Sequence, residues 1–75
     1  MIKSIVFVKW NDACEAENYD EAVMVDCIQE AAGFFVGKVD GNYYIARDWN
    51  TMNQEYERVL RIPEAYVVDI RVLKE

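Results

Sequence analysis

Histidine is absent from this 75-residue chain, which also contains a single serine, a single proline and only two cysteines. Without histidine the chain lacks the usual proton shuttle near neutral pH and any catalytic triad of the ordinary kind. Ser4 lies in an apolar segment, and no base is spaced to activate Cys14 or Cys27 as a nucleophile. We therefore expect a protein that is not an enzyme and has no catalytic residue.

Motifs for a metal or a cofactor are missing as well. Residues 48–55 imitate part of a calcium-binding loop, but glycine is missing at its sixth position and Val59 replaces the glutamate at its twelfth. Gly33 and Gly37 lie inside a predicted strand with no helix after them, so they do not form a phosphate-binding loop. We expect no metal, no cofactor and no small-molecule substrate.

Basic residues are few: eight Lys and Arg stand against fourteen Asp and Glu, for a formal charge of −6. This charge disfavours sequence-independent binding to nucleic acid and to an anionic membrane. Seven carboxylates fall within residues 12–30, a segment without a basic residue: Asp12, Glu15, Glu17, Asp20, Glu21, Asp26 and Glu30. We interpret this acidic segment as solvated, with imitation of DNA as a weaker alternative.

Long hydrophobic runs are also missing, so the sequence predicts neither a transmembrane helix nor a signal peptide. We expect Cys14 and Cys27 to be free thiols in the reducing cytoplasm, with a disulfide as the alternative. The length predicts one domain over residues 1–75, whose small core would gain stability from association with another copy.

The segment 33–48 is the strongest structural signal. Asp40 and Gly41 separate two apolar runs, a pattern typical of a two-residue β-hairpin loop. A regular hairpin places Phe34 on the core face, while Phe35 and Tyr44 share the opposite face. These two side chains either pack under the acidic segment or form an exposed interface patch.

Period-two alternation predicts further strands at residues 4–10, 56–62 and 66–73. Pro63 ends the second of these, and the short link at Glu64 and Ala65 predicts one 3₁₀ turn. In the last strand the pattern points these residues inward: Tyr66, Val68, Ile70 and Val72. The same strand is the one that we expect to pair with another chain through its edge.

Residues 21–32 allow two interpretations. Met24, Cys27, Ile28 and Ala31 have helical spacing with Gly33 as C-cap, which predicts an α+β fold with a helix at 21–32 on a four-stranded antiparallel sheet. Alternatively, a long strand at 25–39 follows a short helical turn near 20–22. That reading predicts an all-β fold, a five-stranded curled sheet or barrel.

Three segments in this order resemble small uncharacterised proteins encoded by phages and integrated prophages. They are Trp10-x-Asp12-Ala13, the Gly33-Phe34-Phe35-Val36 run before a hairpin ending Ile45-Ala46, and Ile62-Pro63-x-x-x-Val67-x-x-Ile70. The last one also resembles the final two strands of Sm-like and Src-homology-3-like barrels. In such relatives the segment before Gly33 is β, so the resemblance favours the all-β fold.

The resemblance brings no agreed activity with it. We expect a cytoplasmic phage- or prophage-type accessory protein that acts by protein–protein contact as a homo-oligomer, with an interface at Phe35, Tyr44, Tyr66 and Val68. One alternative is an Sm-like nucleic-acid-binding barrel with a local basic face of arginines, which are Arg47, Arg58, Arg61 and Arg71. The other alternative is the acidic inhibitor that imitates DNA.

Overall fold

The computed structural model describes residues 3–12 and 27–75. They form five strands and one short 3₁₀ helix: β1 (Ile5–Asn11), β2 (Ile28–Val39), β3 (Asn42–Asn50), β4 (Glu55–Pro63), the 3₁₀ helix (Glu64–Tyr66) and β5 (Val67–Lys74). The strands make one sheet in the order β4-β3-β2-β1-β5, with every neighbouring pair antiparallel. The all-β prediction is confirmed, and this sheet is not closed into a barrel.

The α+β alternative is wrong for the part of its helix that the structure describes. Residues 28–32 belong to β2, and β2 pairs with β1 from Ile28 opposite Asn11 to Phe34 opposite Ile5. Seven consecutive pairs with β1 outweigh the helical spacing, because this pairing gives the backbone of the segment a hydrogen-bonded neighbour that the local pattern does not reveal. Residues 21–26 and the turn predicted near 20–22 lie outside the described residues.

The hairpin between β2 and β3 turns where the sequence predicts. Asp40 has φ 51° and Gly41 has φ 76°, the pair of positive values that a type I′ loop requires. Val39 lies opposite Asn42 and Lys38 opposite Tyr43, as a two-residue loop demands. The predicted turn and its adjoining register are therefore confirmed.

Further from the turn, the predicted register is wrong. A bulge between Phe35 and Gly37 shifts the pairing, so Phe35 lies opposite Ile45 and Phe34 opposite Ala46. One extra residue in β2 exchanges the faces of the side chains beyond it and bends the strand. Phe35, not Phe34, therefore packs against the core.

The core lies on one face of the sheet, where side chains from all five strands meet. Its buried members are Val6, Val8, Trp10, Ile45 and Ile62, with Ala31, Phe35, Leu60, Val67 and Ile70 packed against them. Gly33 is what allows β2 to approach β3 this closely. A Cβ atom there would collide with the carbonyl oxygen of Ala46 and lie 3.0 Å from Ile45 Cγ2.

The predicted 3₁₀ turn is confirmed, and it links strands at opposite edges of the sheet. Only three residues separate β4 from β5, so the sheet must curl to bring the end of one near the start of the other. Glu64 N–H donates a hydrogen bond to the Gly41 carbonyl at 2.8 Å, and Lys38 Nζ lies 2.9 Å from Glu64 Oε1. These contacts attach the hairpin loop to the link between the two edges.

The expectation of a free thiol at Cys27 is wrong, because this residue is disulfide-bonded. Antiparallel pairing brings the chain together at this point, where Asp12 N–H donates to the Cys27 carbonyl at 2.7 Å. The spacing of the two cysteines along the sequence does not reveal that the fold brings the chain together at this point. Cys14 lies outside the described residues. The expected cytoplasmic location was consistent with free thiols, and the disulfide removes that argument for it.

Candidate interaction surface

Phe35 and Tyr44, which the sequence places together, lie on opposite faces of the sheet. Phe35 pairs with Ile45 and shares its face, while Tyr44 is the neighbour of Ile45 along β3 and points the other way. Both side chains are partly buried. They do not form one patch, and the bulge in β2 is the reason.

Tyr66 and Val68, the other two predicted interface residues, are exposed instead of pointing inward. Tyr66 belongs to the 3₁₀ helix, so its side chain does not follow the alternation of β5. Val68 is the extra residue of a bulge, since Lys9 pairs with Asp69 and Trp10 pairs with Val67. Both lie where the chain enters the edge of the sheet, in the strand that the sequence predicts for edge pairing.

Two strands have a hydrogen-bonded neighbour on one side only. β4 pairs with β3, and β5 pairs with β1, so each leaves one row of backbone groups without a strand beside it among the described residues. Such an edge is a template for pairing with another chain. The two edges carry very different side chains.

The β5 edge, residues 67–74, is aliphatic and largely exposed. Three of its side chains leave more than half of their surface in water: Val68 at 59%, Val72 at 54% and Leu73 at 57%. Tyr66, immediately before the strand, is also 53% exposed. Single exposed apolar residues are ordinary, but a run of them along an unpaired edge is typical of an interface.

Two charged side chains interrupt this aliphatic edge. Arg71 Nε lies 3.2 Å from Asp69 Oδ2, two residues away on the same face of β5. The Arg71 guanidinium also lies over the ring of Phe7, with Cζ 4.9 Å from the ring centroid. Phe7 is the residue opposite Arg71 in the β1–β5 ladder. The positive charge of Arg71 therefore lies between Asp69 and the Phe7 ring, beside the edge.

An apolar groove of about 250 Å³ runs beside β5. It lies between the start of β1, the bend of β2 and the second half of β5, and its lining is Ser4, Val6, Phe35, Ile70, Arg71 and Val72. Phe35 therefore contributes to this surface from the core side. The sequence does not predict the groove, because three separate strands create it.

The β4 edge, residues 55–63, is charged and irregular. Four of its nine residues are charged, namely Glu55, Glu57, Arg58 and Arg61. Arg58 has φ 52°, a left-handed conformation that is costly in a strand, and Pro63 ends the strand without an N–H to donate. Irregular backbone, charge and proline are the devices by which proteins protect an edge from pairing.

An ion pair stabilises the irregular point of β4. Arg58 Nη2 donates to Asp48 Oδ1 at 3.1 Å, and Arg58 Nε donates to the other carboxylate oxygen. The hydrogen bonds from Arg58 hold the pKa of Asp48 below its ordinary value, and those same bonds raise the pKa of Arg58. Both side chains are exposed, so water screens the attraction.

The four arginines proposed as a basic face are distributed over three strands. Arg58 binds Asp48, Arg71 binds Asp69, and Arg61 and Arg71 lie on strands at opposite edges of the sheet. Pairing with carboxylates reduces the positive potential that phosphates would meet. The acidic segment falls mostly on residues 13–26, outside the described part of the chain.

Residues 3–12 and 27–75 hold no group of three or more side chains placed to bind a metal ion. No helix within these same ranges is long and apolar enough to cross a membrane.

Comparison of the chain with protein-family models, with curated proteins and with solved structures finds no match.

Proposed function

We propose that this chain is a non-enzymatic accessory protein of the phage or prophage type, which works by protein–protein contact and associates with itself. One observation carries the proposal: β5 is an edge strand on which Val68, Val72 and Leu73 are each more than half exposed. Pairing of this edge with another chain would satisfy its backbone groups and remove apolar surface from water.

The small core supports self-association. Only six apolar side chains are buried among the described residues. The core cluster lies on one face of the sheet, and the curl of the sheet covers that face. A domain of this length has about 3–5 kcal/mol of net stability from its core alone. Burial of the β5 edge in an interface would add apolar contact to this small core.

The mass in solution tests this proposal. Light scattering behind a sizing column, at a low and a high protein concentration, should report a defined oligomer, with reductant present in a parallel run. The oligomer should persist under reduction because strand pairing, not a disulfide between chains, would hold it. A monomer at both concentrations would contradict self-association.

A binding assay then separates protein contact from contact with nucleic acid. Retention on single-stranded RNA or DNA at low salt should be absent, because two of the four arginines are paired with carboxylates. Retention that falls steeply as salt is raised would support the nucleic-acid alternative instead.

A further inference from the structure

We infer that the partner of β5 is β5 of a second copy, paired antiparallel about a two-fold axis that passes through Ile70. The inference rests on the proposed self-association and specifies its interface and register. Ile70 of one copy lies opposite Ile70 of the other, and the two sheets join into one continuous sheet.

The side-chain order of β5 is self-complementary about Ile70. Residues 68–72 read Val, Asp, Ile, Arg, Val, so an antiparallel partner places Val68 opposite Val72 and Asp69 opposite Arg71. The second half of the interface repeats both pairs by symmetry. Opposite charges directly across two strands stabilise the pairing, as do apolar pairs.

Neighbouring registers lose this complementarity. An axis through Asp69 places two carboxylates opposite each other, and an axis through Arg71 does the same with two guanidinium groups. A shift of one residue turns the core face of one copy toward the outer face of the other. Among these registers, only the one about Ile70 keeps both core faces on the same side with Asp69 and Arg71 each opposite its complement.

The regular part of β5, Asp69 to Val72, contains both charged residues of the complementary segment, and Val68 is the bulge residue at its border. Bulges disturb its pairing with β1 at Val68 and at Leu73, and between them Asp69 to Val72 pair in regular register with Lys9 to Val6. A flat, regular edge is what a second strand requires, because bulges interrupt the ladder. The interface is therefore centred where the edge is regular.

The groove beside β5 gives this interface a place for an apolar side chain. Ile70 and Val72 form one of its walls, and Phe35 lies across from them. Val68 of the second copy, which stands opposite Val72, reaches the mouth of the groove. The interface then buries side chains as well as backbone, as a stable contact requires.

Exchange of the two charges tests the register. Asp69→Arg gives a strand with two positive charges, and Arg71→Asp gives one with two negative charges. Each variant alone should weaken dimerisation on the order of 10- to 100-fold, because both attractive pairs become repulsive. An equimolar mixture of the two variants should form a heterodimer, and the double variant Asp69→Arg/Arg71→Asp should dimerise like the wild type.

Sizing with light scattering and native mass spectrometry would measure these masses, and circular dichroism would verify that each variant is folded. Arg61→Asp, the same change of charge on the exposed face of β4, should leave the dimer intact. Rescue in the mixture excludes simple misfolding as the cause of the loss.

The possible failures can be told apart. A wild-type monomer would overturn the proposed self-association and this inference together. A wild-type oligomer whose mass neither single variant changes would leave self-association standing and overturn the β5 interface. Dissociated single variants that do not pair in the mixture would overturn the register about Ile70.

Discussion

β4 and β5 are the two edges of one sheet; bulges interrupt β5 near both of its ends, but the two strands differ in their exposed apolar surface and in the backbone geometry at their centres. β4 carries four charges, a left-handed residue at Arg58 and a terminal proline. β5 carries exposed valines and a leucine around one Asp–Arg pair, beside an apolar groove. One edge resists the addition of a strand, and the other offers the backbone and side chains that a strand would bind.

The difference indicates how such a domain would limit its own assembly. A chain with two open edges can add copies at both ends of its sheet and grow without limit. Protection of β4 leaves β5 as the more open of the two edge strands, and pairing of β5 with itself would close a dimer. The comparison therefore indicates how a small sheet with an exposed aliphatic edge would form a closed assembly instead of an open one.

The largest effect should come from Gly33, because both edges depend on the strands between them. Gly33→Ala places a Cβ atom against the Ala46 carbonyl oxygen and Ile45, so β2 and β3 must separate. We expect a loss of about 3 kcal/mol in the free energy of unfolding, measured by urea denaturation.

Gly37→Ala is the matched control for this substitution. It adds a methyl group to the same strand, but nothing lies within 4 Å of the new Cβ atom. Its stability should equal that of the wild type or exceed it slightly. Equal destabilisation by both alanines would contradict the close approach at Gly33 as the cause, because reduced freedom of the unfolded chain stabilises the fold.

An exposed valine on each edge provides the next test. Val72 on β5 is 54% exposed and Val59 on β4 is 44% exposed. Val72→Lys should weaken association on the order of tenfold or more, since an ammonium group would replace apolar contact at the groove. Val59→Lys should leave the mass unchanged and melt near the wild-type temperature. A change of mass in Val59→Lys alone would reverse the assignment of the two edges.

The smallest effect concerns the ion pair that supports the irregular point of β4. The folded pKa of Asp48 is lowered from its ordinary value of 3.8, so its stabilising contribution is present above that pH. It disappears as the pH falls through the lowered folded value. Asp48→Asn should therefore melt slightly below the wild type at neutral pH, and the gap should close in strong acid. A gap that does not depend on pH would contradict the ion-pair account.

Local patterns in the sequence predict the local parts of this fold. Alternation identifies β1, Asp40 and Gly41 identify the type I′ turn, and Pro63 identifies the end of β4, because each feature depends on neighbours in the chain. The strand between residues 28 and 39 needed more than pattern, since helical spacing favours a helix there. Pairing with β1 decides that segment, and pairing is not local.

Part of the candidate interface can also be predicted from local patterns in the sequence. The last strand was expected to pair through its edge, and the strand order places β5 at an edge. The patch of Phe35 and Tyr44 was wrong because one extra residue near Val36 exchanges the faces of β2. A bulge cannot be recognised reliably from the alternation of apolar and polar residues. A groove that three separate strands form cannot be recognised from it at all.

Backbone hydrogen exchange at two protein concentrations tests the central claim most directly. The amides of β5 that face the open edge should exchange rapidly in dilute protein and become protected when the concentration is raised. The edge amides of β4 should exchange at the same rate at both concentrations. Protection that rises with concentration in β4 and not in β5 would contradict the account. Rapid exchange of the edge amides of both strands at every concentration would contradict it as well.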